Sequence, residues 1–240
     1  FPVPSEEQRI WVLSDEMNAR GIGVDMDLVE GALEINDRLT EEQEERARII
    51  SDVQNPNSTS QILEWIQKFM PDVDNVRKAT VSDLLNRDDL HPDVREFLEI
   101  RQELSKTSVK KYDAIKTCVC DDDRVRGLLQ VYGANRTGRW AGRLFQVQNL
   151  PRNYLLNLRL ARELTKNRDK RAIEELFGNA TDTISQLIRT AFVPQNDKKY
   201  VVSDYSAIEA RVIAWLAGEE WVNEVFRTHG KIYEATASQM

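Results

Sequence analysis

A chain of 240 residues, 41% apolar and 30% charged with a net charge of −7, can bury a core and suits one large domain or two small ones. No apolar run approaches bilayer length, and "FPVPSEEQRI" has no basic stretch leading into an apolar one, so neither a membrane span nor a signal peptide is expected. Two cysteines and two histidines are too few for a structural zinc site.

The first expected element is a helix running from a Ser5-Glu6-Glu7-Gln8 capping box to about Arg20, ended by Gly21 and Gly23. "GVDMDLV" reads as a short extended link. A long helix follows from about Asp27 to Val53, with Leu28, Ala32, Ile35, Leu39, Ala47 and Ile50 as a partial apolar stripe and "TEEQEERAR" as its wet face. "QNPNSTS" breaks it. Ser58 and Gln61 offer a second capping box for the helix "TSQILEWIQKFM", and Thr80 with Asp83 suggests a third cap before "VSDLLNR". Pro92 suits a first helical turn. The helix from there to about Ile115 would pack through Val94, Phe97, Leu98, Leu104 and Tyr112. Residues 1–100 carry 23 acids against 10 bases, a balance of −13.

Cys118 and Cys120 would close a strained small ring if joined, so free thiols in a reducing cytoplasm are expected. The "DDD" at 121–123 marks a change of character. "RVRGLLQVYGA" reads as a strand with bases at its start, and "NRTGRWAGRLFQVQNLPRN" as a loop rich in arginine, glycine and amides. Residues 155–190 look helical in about three short pieces. "KKYVVSDYS" reads as a buried strand because Tyr200-Val201-Val202 is a continuous apolar run. A helix from Ser206 to Ala217 and two more short helices complete the chain. The fold class expected is mostly α, with an α/β (α+β) second half joined near residue 120.

Residues 124–171 carry 12 lysines or arginines against 2 acids, a balance of +10, and all but Lys166 and Lys170 of the twelve are arginine. The flat arginine fork suits phosphates and base edges. A solvated charged face is the plainer reading, but such a balance inside an acidic protein favours nucleic-acid contact. The stretch "YGANRTGRWAGRLFQVQNLPRN" concentrates side chains that donate to phosphates or to minor-groove acceptors, with glycines that let a backbone come close. The alternative is an ordinary surface loop.

Asp204 ends the expected strand, a common place for sites in α/β sheets, and a carboxylate there is a natural ligand for a hard cation such as magnesium. It could equally cap the next helix. Ser206-Ala207-Ile208-Glu209 is itself a capping box, which leaves Glu209 open between capping and chemistry.

These stretches resemble family A (DNA polymerase I-like) DNA polymerases, phage-type members especially. "SDYSAIEARVIAWLAGE" is similar to that family's motif A, and "RTGRWAGRLFQVQNLPR" to its T-G-R-L…Q-N-I-P motif. "NPNSTSQILEWI" resembles the thumb segment N-x-x-S-x-x-Q-L, and "LEIRQELSKTSVKKY" the thumb helix ending L-x-K-L-x-x-T-Y. The matches keep the family's order and cover roughly residues 10–240. The first two are quite specific; the thumb matches are weak singly.

The resemblance implies a lead-in helix over 1–24, a helical thumb over 25–120, and a partial palm over 121–240 with an incomplete antiparallel sheet and a helical insertion at about 153–189. It implies that Asp204 and the Tyr205 carbonyl bind magnesium, two ions in the complete enzyme, and that Glu209 sits under the incoming sugar and excludes a 2′-hydroxyl. Arg136, Thr137, Arg139, Arg143, Gln146, Gln148, Asn149 and Arg152 would meet primer–template DNA. Tyr233 stands where the family often has a histidine near the triphosphate of the dNTP. The fingers helix with its lysine and tyrosine, the second catalytic aspartate in an H-D-E motif and the exonuclease domain have no counterpart in these residues. Both ends therefore look cut, and the expected partners include the missing C-terminal polymerase half, but no membrane. The expected function is part of a two-metal, template-directed DNA polymerase in a bacterial or phage-infected cytoplasm, inactive alone. A non-catalytic DNA-binding module or subunit is the alternative, and a metal-dependent nuclease a weaker one.

Overall fold

The computed structural model describes residues 3–51, 53–56, 58–105, 109–195 and 197–239, with Gln239 described by its backbone alone. Two compact units divide the chain between Asn196 and Asp197. Residues 106–108 of the expected Pro92–Ile115 helix, and Asn57 of the thumb-like "NPNSTS", lie outside the described residues.

In the first unit, α1 (Ser5–Arg20) has the expected length, but Ser5 is already helical and Pro4 occupies the N-cap without a capping side chain. Ser14 is its one buried residue, so polar contacts hold the helix. Asn18 gives Nδ2 to the Leu129 carbonyl (2.7 Å) and takes the Leu129 N–H on Oδ1 (2.9 Å). At the C-terminus, Arg124 donates to the carbonyls of Arg20 and Gly21 and Arg126 to that of Ala19, each within 2.9 Å. These cations meet carbonyls that the helix end leaves unpaired.

The expected link after α1 is instead β1 (Ile22–Val24), the central strand of an antiparallel sheet. It pairs on one side with β2 (Arg124–Val125), Ile22 opposite Val125, and on the other with β5 (Phe192–Val193), Val24 opposite Phe192. Three stretches far apart in sequence thus meet at one short strand.

Helix α2 (Met26–Ser51) is capped by Asp25, whose Oδ1 accepts the Leu28 N–H, and its 26 residues span about 39 Å. It contributes to two cores. Its first half packs Leu28, Ala32 and Ile35 with Tyr112, Ile115, Val125, Ile184 and Leu187. Its last turns add Ala47 to a second core of Ile62, Trp65, Val94, Phe97 and Leu98. That second core joins α3 (Thr59–Gln67), α4 (Lys78–Leu85) and α5 (Pro92–Leu104), with the Trp65 ring 5.0 Å from Phe97. Each such side chain contributes about 1.5–3 kcal/mol on burial.

The caps differ from expectation. Ser58 is the α3 N-cap but makes no side-chain cap, its hydroxyl pairing with that of Ser60 at 3.2 Å, and Gln61 Oε1 accepts the Asn55 N–H instead of reaching back to Ser58. Helix α4 starts two residues before Thr80, whose hydroxyl donates to Asn75 Oδ1 at 2.6 Å. Pro92 does open α5, with His91 as its cap. The expected single helix to Ile115 is two, α5 and α6 (Lys110–Cys118).

The "RVRGLLQVYGA" run divides into β2 and β3 (Leu129–Ala134), and four residues of the expected arginine loop form β4 (Arg139–Gly142), paired with β3. Residues 155–190 form the three expected pieces, α7 (Leu158–Lys166), α8 (Lys170–Phe177) and α9 (Ala180–Leu187). Asn157, Asp169 and Asn179 cap them by accepting a backbone N–H each. Helix α7 lies against α2 so closely that a Cβ on Gly31 would stand 2.1 Å from the Thr165 carbonyl oxygen. Asp25 receives both Arg162 Nη2 and Lys166 Nζ from α7 at 2.6 Å, and Arg162 also donates to the Thr190 carbonyl.

The second unit contains α10 (Ile208–Ala217), α11 (Glu220–Thr228) and α12 (Ile232–Gln239). The expected buried strand at 198–206 is not formed: the segment is irregular, with Val201 85% and Val202 89% exposed. A continuous apolar run marks a strand only where neighbours supply a ladder and cover both faces, and the described residues of this unit offer no second strand. Nor does Ser206 cap the helix. Ala207, in the left-handed region at φ 52°, precedes Ile208, and the Ser206 carbonyl accepts from Arg211 Nε at 2.7 Å. The Arg211 guanidinium lies 4.4 Å from the Phe226 ring centre, fastening α10 to α11. No helix among the described residues is long and apolar enough to cross a membrane.

Candidate nucleic-acid interface and acidic site

The β3–β4 hairpin closes through a turn in which the Thr137 and Gly138 N–H groups both donate to the Ala134 carbonyl (3.0 and 2.9 Å). Its register shifts between Gln130 and Ala134, and within that irregularity Tyr132 takes φ 55° and turns its ring outward. Irregular strands of this kind re-aim side chains. The ring lies over the turn, 3.0 Å from where a Cβ on Gly138 would stand. Arg136, Thr137 and Arg139 are exposed on this tip.

Past β4 the chain is pinned by two apolar anchors. Phe145 is buried and stacks on Phe192 (5.5 Å, 16°), and Leu150 is buried in the same core. Between them Val147–Asn149 form a 3-10 turn, preceded by Gln146 at φ 51°. Gln146, Gln148 and Asn149 point to solvent, as do Arg143 and Arg152 on either side. Asn149 Nδ2 donates to Gln146 Oε1 at 2.8 Å. Gln148 rests against Gly142, where any Cβ would fall 2.1 Å from its Oε1. Lys111 Nζ donates to the Asn149 carbonyl and Arg189 Nη2 to the Leu150 carbonyl, each at 2.6 Å.

All eight candidate DNA-contact residues are therefore exposed along one continuous stretch. The positive balance around them is partly engaged elsewhere: Arg126 pairs with Asp122, Arg162 and Lys166 with Asp25, Arg168 with Glu34 and Lys170 with Glu42. The Arg126 hydrogen bond holds the Asp122 carboxyl down at about 2. Gly142, Lys111 and Arg189 carry no sequence signal of their own, since each acts on the stretch through space.

Asp204, Tyr205, Glu209 and Tyr233 all belong to the second unit and are exposed, Tyr205 by 82% and Tyr233 by 89%. Asp204 sits in the irregular segment before α10, and Glu209 in the first turn of that helix. Among the described residues no three Asp, Glu, His or Cys side chains gather as a metal cluster. An exposed carboxylate with a neighbouring carbonyl does fit part of a magnesium shell, which commonly takes one or two carboxylates and completes itself with phosphates and water.

The model of DNA polymerase family A matches residues 27–240. The chain belongs to that family. It is similar over its whole length, at 49% identity across 241 aligned residues, to the DNA polymerase of Bacillus phage SP02, and spans 37% of that protein. Over 57 residues, 24% of the chain, it is 46% identical to the thermostable DNA polymerase I of Thermus thermophilus, covering 7% of that protein. A 53-residue stretch, 22% of the chain, is 42% identical to DNA polymerase I of Lactococcus lactis and covers 6% of it. The family A match begins after α1 and β1, whereas the similarity to the phage polymerase includes both elements.

Proposed function

We propose that this chain is the thumb and first part of the palm of a template-directed DNA polymerase, with residues 1–24 as lead-in, 25–120 as thumb and 121–240 as partial palm carrying an insertion at 153–189. The observation that carries it is the family A match across both the arginine-amide stretch and the Asp204 segment. In this reading Arg136, Thr137, Arg139, Arg143 and Arg152 meet phosphates or base edges of primer–template DNA, and Gln146, Gln148 and Asn149 face its minor groove. Asp204 and the Tyr205 carbonyl would hold magnesium, two ions in the complete enzyme. Bound there, magnesium lowers the pKa of the primer 3′-hydroxyl and offsets charge on the transferring phosphoryl group. Glu209 closes the space that a 2′-hydroxyl would need, and Tyr233 offers a hydroxyl near the triphosphate of the dNTP.

The nuclease alternative finds no acid cluster among the described residues. The test is Asp204→Asn in the full-length parent. The expected result is loss of primer extension with duplex binding retained. Extension at the wild-type rate overturns the metal-binding role of Asp204, and absence of duplex binding by the wild-type protein overturns the whole reading.

A further inference from the structure

The backbone beneath the amide row is held by two cations from different parts of the fold. Lys111 comes from the first turn of α6 and Arg189 from the 3-10 turn after α9, and they donate to consecutive carbonyls, Asn149 and Leu150. The 3-10 turn ends at Asn149, where carbonyls lack a donor from within the turn. Both bonds are charge-assisted at 2.6 Å, so they are strong for their kind. Burial presses the Lys111 ammonium toward its neutral form, and an acceptor is what such an ammonium requires. With Phe145 and Leu150 seated in the core on either side, the segment is fixed at four points. Its exposed output is the linked pair Gln146–Asn149, with Gln148 alongside on Gly142.

We propose that Lys111 and Arg189 are positioning residues for minor-groove contact: they act through the backbone to hold the amide row at the pitch where its N–H donors meet base acceptors. This rests on the reading of residues 136–152 as a duplex interface. It also gives thumb helix α6 a direct hold on the groove-facing turn, so thumb and amide row move as one.

The experiment measures binding of the 240-residue chain to two duplexes by fluorescence anisotropy. One carries natural adenines near the primer end; the other carries 3-deazaadenines, which lack the minor-groove nitrogen acceptor. The wild type should prefer the natural duplex by about fivefold per lost bond. Lys111→Met, which keeps the aliphatic stem, should bring the preference close to one and leave the salt slope unchanged, since no phosphate contact is lost. Arg189→Met should do the same, and Lys111→Arg should restore the preference. Global unfolding lowers the binding-competent fraction for both duplexes by the same factor, so it cannot move their ratio. A Lys111→Met variant that keeps the wild-type preference, or loses about one unit of salt slope as a direct phosphate contact would, overturns the positioning role. Failure of Lys111→Arg to restore the preference does so too. A wild type that shows no preference overturns the minor-groove reading itself.

Discussion

The Tyr112 hydroxyl donates to the Ile184 carbonyl at 2.7 Å, joining α6 to α9 inside a core where neither residue is accessible to solvent. Burial raises the Tyr112 pKa, so the phenol stays protonated and remains the donor. Tyr112→Phe keeps the ring and removes the bond. It should cost about 1–3 kcal/mol, read as a lower urea midpoint with an unchanged slope. An unchanged midpoint would mean that Ile184 finds another donor at no cost.

The seam between α2 and α7 is a second sensitive contact. Gly31 has no room for a Cβ against the Thr165 carbonyl, so Gly31→Ala should destabilise by about 1–3 kcal/mol although alanine is the better helix former. Asp25→Ala removes the α2 cap and leaves Arg162 and Lys166 without their shared carboxylate. Its expected cost is about 3 kcal/mol, since Arg162 stays largely buried. Thermal or urea unfolding of both variants checks this; a Gly31→Ala protein as stable as wild type would show that α7 can move away freely.

Replacing Arg136, Arg139 and Arg143 with alanine should weaken duplex binding and flatten its dependence on salt, because fewer counterions are released. An anisotropy titration at several salt concentrations checks it. As a control, Arg168→Ala removes a cation of the same charged stretch that is paired with Glu34, and should leave the slope near wild type. Equal flattening in both would mean that general positive charge, rather than the hairpin, governs binding.

Much of the helical layout is legible in the sequence because each helix carries its own apolar period and punctuation: α1, α2, α7, α8 and α9 fall where their patterns place them. What the sequence hides depends on distant partners. β1 reads as a link because its ladders are supplied by Val125 and Phe192, about one hundred residues away or more. Tyr200-Val201-Val202 reads as a buried strand on its own composition, yet the described residues of its unit contain no second strand to supply a ladder. The +10 balance likewise overstates the charge offered to a ligand, since Arg162, Lys166, Arg168 and Lys170 meet acids of α2 or the residue before it. The eight exposed contact candidates were visible as residue types, whereas the Lys111 and Arg189 supports exist only once the chain is folded.

Glu209 lies in the first turn of α10, five residues past Asp204, and the resemblance to motif A puts it under the incoming sugar. On the proposed reading, Glu209→Ala in the full-length parent should relax discrimination against ribonucleotides. The measurement is the ratio of dNTP to rNTP incorporation at one template position. A ratio equal to wild type would remove Glu209 from sugar selection.

The 240-residue chain alone should bind duplex at low salt and extend no primer. Two-metal nucleotidyl transfer needs carboxylates on both sides of a pair of ions, and among the described residues Asp204 stands in no cluster of three or more ligating side chains. One carboxylate and one carbonyl cannot replace enough of the hydration of two magnesium ions to hold both in line with a 3′-hydroxyl and a triphosphate. The described residues of its unit also form no strand ladder beside the segment that carries Asp204, so its carboxylate is not preorganised by a sheet. A primer-extension assay with magnesium and all four dNTPs decides the matter. It is run beside the same chain mixed with the remaining part of a parent polymerase, where pairing of the 198–206 segment would restore the support. Extension by the 240 residues alone, abolished by Asp204→Asn, would refute this account and require a second metal ligand within the chain.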